Sequence, residues 1–323
     1  MTYVGIHSQQ RRNNFYSLFL LCLFPCLVIG LLFLFCFLFS LFLSSDIDGS
    51  NIMPEVLHFF VSSVPWVTGS ILLWFIIAYF SNTRIINSAT GSHPLERKNN
   101  KRVYNLVENL SMSQGMAMPK VNVIEDDSLN AFASGINEKT YTVSLSRGII
   151  NKLNDDELEA VIAHELSHIR NNDVRLLIIS IVFVGIFSML AELALRMIYS
   201  SSRMRSSKNN KNGGGIIVIL LIALVVVAIG YLFSTLMRFA ISRKREYLAD
   251  AGSAEMTKNP GVLASALRKI SADPGIEAVT RDDVAQLFID HPKKRKKNLF
   301  SGFSGLFATH PPIEKRIKVL EQF

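Results

Sequence analysis

From Phe15 to Leu43 the chain runs for 29 consecutive residues without a charge, FYSLFLLCLFPCLVIGLLFLFCFLFSLFL. As a helix this stretch is ~43 Å long, more than the ~30 Å hydrocarbon core of a bilayer requires. The apolar part of a secretory signal peptide is far shorter and leads into a small-residue cleavage site, which is not found here. The stretch reads as a transmembrane helix. A second run from Val56 to Phe80 also lacks Lys, Arg, Asp and Glu, and a fourth extends from Ile216 to Met237. Between them a third begins at Leu176 and stays apolar to about Leu190. Its charge-free part covers about 16 residues, or ~24 Å, which is short for a span. Glu192 and Arg196 follow at a spacing that permits a helical ion pair.

The net charge of +8 does not imply nucleic acid, because the basic residues flank the apolar runs. Arg11 and Arg12 precede the first run, whereas the connection SSDIDGSNIMPE carries neither Lys nor Arg. After the second run come Arg84, Arg97, Lys98, Lys101 and Arg102. Positive charge collects on the cytoplasmic side of membrane proteins, so the N-terminus and the chain from Ser81 onward are expected there. The connection after the third run, with Arg203, Arg205, Lys208 and Lys211, strains that rule if 174–240 is a spanning hairpin. The three cysteines, Cys22, Cys26 and Cys36, all lie in the first run and read as small apolar residues.

The polar part is expected to be α+β. NKRVYNLVENLSMSQG is helical in pattern, PKVNVIED alternates like a strand, and LNAFASG and KTYTVSLSR suggest a hairpin about INEK. NDDELEAVIAHELSHIR has a capping-box signature, Asn154 followed three residues later by Glu157. SRKREYLADAGSAEMTKNPGVLASALRKI suggests two helices broken at Asn259-Pro260, and PPIEKRIKVLEQF a closing helix. The basic run Lys293–Lys297 beside LFSGFSGLF is a candidate lipid contact.

His164, Glu165 and His168 form H-E-x-x-H. On a helix, positions i and i+4 lie about 40° apart, so both imidazoles can face one ion while the glutamate reaches its water. The motif also arises in ordinary helices, so context matters. A catalytic zinc wants a third protein ligand and an open position. REYLAD supplies Glu246, with Asp250 one turn on and able to accept the second ring N–H of a ligating histidine. His168 stands eight residues before the third run and Glu246 nine after the fourth, about 12–14 Å in each case. In an antiparallel hairpin they would emerge at the same height.

Together AHELSHIRNNDVR, REYLADAGSAEMTKNPGVLASALRKI, LNAFASG and THPPIEKRI closely resemble the HtpX-type membrane zinc metalloproteases. These are gluzincins related to the CAAX prenyl endopeptidases. The resemblance implies His164, His168 and Glu246 as ligands of one zinc ion and Glu165 as catalytic base. By the same resemblance, His310 and Arg316 match the C-terminal motif and are candidates to stabilise negative charge on the reacting carbonyl. LNAFASG is a candidate exposed edge strand where Asn130 and Ala131 would bind an extended substrate by strand addition. The expected protein is a predominantly α-helical, multi-pass protein of the bacterial inner membrane with a cytoplasmic zincin-like catalytic domain and a small sheet. Its parts would be a cytoplasmic N-terminus (1–14), two spans (15–80), a first catalytic segment (81–173), a spanning or partly embedded hairpin (174–240) and a second catalytic segment (241–323). Its expected partners are the lipid bilayer and misfolded or damaged membrane proteins, which it would hydrolyse as a quality-control endopeptidase. A CAAX-type prenyl endopeptidase and a non-catalytic zinc-stabilised scaffold are the alternatives.

Overall fold

The computed structural model describes residues 6–43, 52–204, 213–271 and 311–322. Lys293–Lys297, LFSGFSGLF and His310 lie outside them. The chain forms two compact units, one of Met1–Ser17, Tyr79–Ile179 and Arg238–Phe323, the other of Leu18–Ala78 and Ser180–Met237.

Among the described residues, four helices are long and apolar enough to cross a membrane: α1 (Ile6–Leu43), α2 (Met53–Thr90), α6 (Asp173–Met204) and α7 (Gly213–Thr257). The third is not limited by length, since α6 continues without a break past the exposed Glu192–Arg196 ion pair. Within the unit of Leu18–Ala78 and Ser180–Met237, Phe24 stacks on Phe183 at 4.0 Å between centroids and meets Phe75 and Phe187 edge to face. Gly230 of α7 lies so close to Phe187 that a β-carbon there would stand 2.3 Å from the ring. Lipid gives apolar helices no reason to leave it, so close aromatic packing and small residues have to hold them together. Large side chains such as Trp66 and Leu72 point outward, as lipid-facing residues do.

The other unit carries a four-stranded sheet in the order β1-β2-β4-β3, from β1 (His93–Pro94), β2 (Lys120–Ile124), β3 (Ala131–Ser134) and β4 (Thr142–Ser146). The hairpin expected from sequence is present: β3 and β4 are antiparallel, with Ala131 opposite Leu145 and Ser134 opposite Thr142. Its turn needs glycine at 135, where φ is +108° and a β-carbon would overlap the Thr140 carbonyl. β4 also pairs in parallel with β2 and is buried along its whole length, as parallel strands usually are. β1 was not foreseen, because two residues ending in proline show no alternation.

The sheet, α3 (Lys101–Ser113) and α8 (Pro260–Ile270) pack on α5 (Asp155–Arg170). Eleven of the 16 residues of α5 are buried, which makes it a central helix rather than a surface one. Its capping box forms: Asn154 Oδ1 accepts from the Glu157 N–H and Glu157 Oε2 from the Asn154 N–H. Glu157 accepts further bonds from Ser265 (2.8 Å) and Lys269 (2.7 Å) of α8. α4 (Arg147–Lys152) links β4 to α5, and α9 (Ile313–Leu320) packs on α8.

One difference from the sequence reading concerns α7. The segment SRKREYLADAGSAEMT does not start a new helix but continues the fourth apolar run, giving 45 residues in a single element. No proline falls within it, and nothing else compels a stop before Lys258, whose φ is +57°. α7 packs on α5 at Gly252, where a β-carbon would stand 2.0 Å from Ser167 Oγ, and Ser253 Oγ donates to the Ala160 carbonyl at 2.7 Å.

Two outcomes test this packing. Gly252→Leu forces the two helices apart and is expected to cost about 1–3 kcal/mol in thermal unfolding. Burial alone would raise the Glu157 pKa, but Lys269, Ser265 and the Asn154 N–H hold it below its ordinary value of 4.5. The stabilisation is therefore full above pH 4.5 and lost as pH falls through the lower folded-state value. Glu157→Gln, which keeps the cap but loses the charge, is expected to lose about 1–2 kcal/mol at pH 7, reduced by the partial exposure of Lys269. That deficit is expected to shrink progressively as pH falls below 4.5, which unfolding curves recorded at pH 7 and at a series of acid pH values would show.

Candidate metal centre

His164 and His168 project from consecutive turns of α5, and Glu246 and Asp250 from consecutive turns of α7. The helix contact at Gly252 and Ser253 brings the two pairs together. His164 Nε2 and His168 Nε2 lie 3.2 Å apart, and the Glu246 carboxylate stands 3.7 Å from the first and 3.6 Å from the second. A tetrahedral site with bonds of about 2.0–2.1 Å has ligand–ligand edges of about 3.3–3.4 Å. The two ring nitrogens and the carboxylate, which turns one oxygen toward each, thus form a donor triangle of about the size that one zinc-sized ion requires. Among the described residues this is the one group of His, Cys, Asp and Glu so arranged.

The ring nitrogens away from that triangle are held by carboxylates. His164 Nδ1 lies 3.0 Å from Asp250, and His168 Nδ1 lies 3.0 Å from Asp173, the first residue of α6. A carboxylate can only accept, so in its neutral, ligating form each ring would carry its proton on Nδ1 and present an unprotonated Nε2 to an ion. Asp250 was expected in this role; Asp173 was not. Its available signal was an acid just after the Asn171-Asn172 break, five residues past His168. Asn172 has φ +60°, and this left-handed residue ends α5 and turns the chain so that Asp173 comes back against His168.

Arg316 of α9 is fully buried in the same cluster. Its guanidinium donates to both Asp250 oxygens at 2.7 and 2.9 Å and lies 3.3 Å from Glu246. Nη2 is 3.4 Å from His164 Nε2, at the rim of the donor triangle. Burial works against the Asp250 carboxylate, yet Arg316 and His164 outweigh it and hold its pKa below the usual carboxylate range. For Arg316 burial favours loss of the proton, but Asp250, Glu246 and Glu165 push its pKa up. Burial would likewise lower the His168 pKa, and Asp173 and Glu246 reverse that and push it up to about 9.

Glu165 is buried beside the two histidines, and burial raises its pKa despite their opposing influence. The Ala133 N–H of β3 hydrogen-bonds its carboxylate. Edge strand and acid are thereby in direct contact. β3 ends the sheet, as expected, but Asn130 and Ala131 are not exposed: both are fully buried, and Asn130 Oδ1 accepts from the Ala131 N–H at 2.8 Å. The reason is that α5 packs against β3, so the strand borders the site instead of open solvent.

The donor set fits a divalent cation on grounds of charge as well as size. Glu165, Glu246, Asp173 and Asp250 are four acids with almost no exposure, and Arg316 is paired with two of them. Carboxylates gathered in a buried cluster are costly unless cations are held among them. Two imidazoles and one carboxylate suit zinc better than magnesium or calcium, which prefer all-oxygen shells.

Residues 97–323 match Peptidase family M48. The chain is 68% identical to a protease HtpX homolog of Bacteroides fragilis over the full length of both proteins. It is 42% identical to a protease HtpX homolog of Listeria monocytogenes, covering 77% of this chain and 82% of that one. Among solved structures it is similar to the crystal structure of S. mikatae Ste24p, at 22% identity and a TM-score of 0.44, over 90% of this chain and 61% of that one. The chain belongs to peptidase family M48 and is a membrane metalloprotease.

Proposed function

We propose that the protein is a zinc endopeptidase of the bacterial inner membrane that cleaves exposed segments of misfolded or damaged membrane proteins on the cytoplasmic side. The observation that carries this reading is the donor triangle of His164, His168 and Glu246 with Glu165 beside it. One zinc ion per chain would be held by those three side chains. When bound, zinc supplies Lewis acidity, which acidifies water to a pKa of about 7 and polarises a peptide carbonyl.

The chain's own residues do the rest. Glu165 takes the proton from the attacking water and returns it to the leaving amine, a shuttle favoured by burial that raises its proton affinity. Arg316 is the candidate donor to the carbonyl oxygen as charge develops there, with His310 the second candidate. Asp250 and Asp173 keep the imidazoles in the ligating tautomer. Asn130 and Ala131 would receive substrate as an added strand, the incoming backbone taking over the Ala131 N–H that Asn130 now satisfies. Main-chain recognition suits substrates defined by lost structure rather than by sequence. The inner-membrane, cytoplasm-facing location rests on the distribution of Lys and Arg about the apolar runs.

The test is metal content and cleavage of an unfolded model substrate by detergent-purified protein, wild type beside Glu165→Gln. One zinc per chain in both, with cleavage reduced about 10²–10⁴-fold in the variant, is the expected result. Zinc in both with equal, negligible cleavage would instead favour a structural metal. Arg316→Ala strips a buried cation from Asp250 and Glu246 and is expected to cost about 3–5 kcal/mol of stability. Arg316→Lys should recover part of that stability but not the cleavage rate, because lysine lacks the two-pronged fit to Asp250.

A further inference from the structure

We infer that Asn13, at the start of the first apolar helix, is a positioning residue of the metal centre, acting on His168 through Asp173. The inference rests on the metal assignment above. Asn13 lies 160 residues from Asp173 in sequence, yet its side-chain amide is buried against the turn between α5 and α6. Nδ2 donates at 2.8 Å to the Asn171 carbonyl and at 2.6 Å to Asp173 Oδ1. Both partners are acceptors only, so the amide must turn its nitrogen toward them, and its two N–H groups match them one to one. The other oxygen of Asp173, Oδ2, is the one that holds His168 Nδ1.

The arrangement is a chain of three groups, Asn13 to Asp173 to His168, ending on the ring whose Nε2 faces the ion. A lone carboxylate can rotate about its side-chain torsions; one gripped at Oδ1 by an amide cannot do so without breaking a buried charge-assisted bond. Asn13 also binds the carbonyl of Asn171, the residue that closes α5, and so joins the end of the H-E-x-x-H helix to the start of α6. The junction is braced from two further directions. Arg245 of α7 donates to the Asp173 carbonyl at 3.0 Å, and the Tyr141 hydroxyl donates to Asn172 at 3.2 Å. The first contact holds the backbone of the turn and the second the Asn172 side chain, whereas Asn13 grips the carboxylate itself. The N-terminal helix is thereby part of the metal site and not merely its anchor.

The test measures zinc affinity of the full-length protein in detergent by chelator competition, with the visible spectrum of the cobalt-substituted protein as a second readout. Groups that orient a ligating histidine typically change metal affinity 10–100-fold when removed. Asp173→Asn is expected to fall in that range and Asn13→Ala to weaken zinc about tenfold, with altered cobalt bands. If Asn13 acts through Asp173, adding Asn13→Ala to Asp173→Asn should change the affinity less than twofold further. Asn13→Ser, which keeps one shorter donor, should lie between wild type and Asn13→Ala and serves if the latter does not purify. Val107→Ala, an apolar truncation in the buried face of α3 that removes no hydrogen bond, is the control for simple loss of stability.

The inference is overturned if Asn13→Ala and Asn13→Ser bind zinc within twofold of wild type with unchanged cobalt spectra. It is equally overturned if the two substitutions add fully, or if Val107→Ala at matched loss of melting temperature reproduces the effect. A wild-type protein that holds no zinc would overturn the metal assignment and this inference with it, whereas failure of the Asn13 variants alone leaves the assignment standing.

Discussion

Buried negative charge governs this structure. Four carboxylates with almost no exposure are gathered around two imidazoles, and in a low-dielectric interior such a group disfavours folding unless cations and hydrogen bonds answer it. Each acid has its own answer: Arg316 and His164 for Asp250, Arg316 and the histidines for Glu246, His168 and Asn13 for Asp173, and the Ala133 N–H with the histidines for Glu165. A divalent ion held by the donor triangle would add to that counter-charge. Electrostatic balance and catalytic competence are thus one arrangement here, which is why its members come from α1, β3, α5, α6, α7 and α9.

That gathering is possible because α5 and α7 approach closely. A glycine and two serines at their contact leave no bulky side chain between the backbones, and Ser253 bonds directly to an α5 carbonyl. The capping box and Lys269 fasten the N-terminal end of α5, while the Asn172 turn sets its other end. A helix fixed at both ends and packed on all sides holds its histidines to one geometry, as metal ligation demands.

Much of this was legible in the sequence because it is local. The apolar runs, the Asn154–Glu157 cap, the H-E-x-x-H spacing, the hairpin about residues 136–139 and the break before Pro260 each depend on residues within a turn or two of one another. Glu246 and Asp250 were found by the demands of zinc chemistry, and Arg316 through resemblance alone. The features that escaped are non-local or unpatterned. The parallel pairing of β2 with β4 leaves no mark in either strand, β1 is too short to show a period, and nothing about Asn13 hints at a partner 160 residues away. The burial of Asn130 and Ala131 likewise depends on α5 lying against the strand, a packing fact that alternation cannot express.

The continuity of α7 has a consequence for how such a chain can vary in length. Within one unbroken helix every inserted or deleted residue rotates the downstream side chains by about 100° and shifts them by about 1.5 Å. Glu246, Asp250 and Gly252 share one unbroken helix, so the two carboxylates and the glycine that lets α7 meet α5 are in fixed angular phase. A single residue inserted between Asp250 and Gly252 would swing the carboxylates away from the histidines while leaving composition and hydropathy almost untouched. The spacing from Glu246 to Gly252 is therefore as much a part of the site as its side chains.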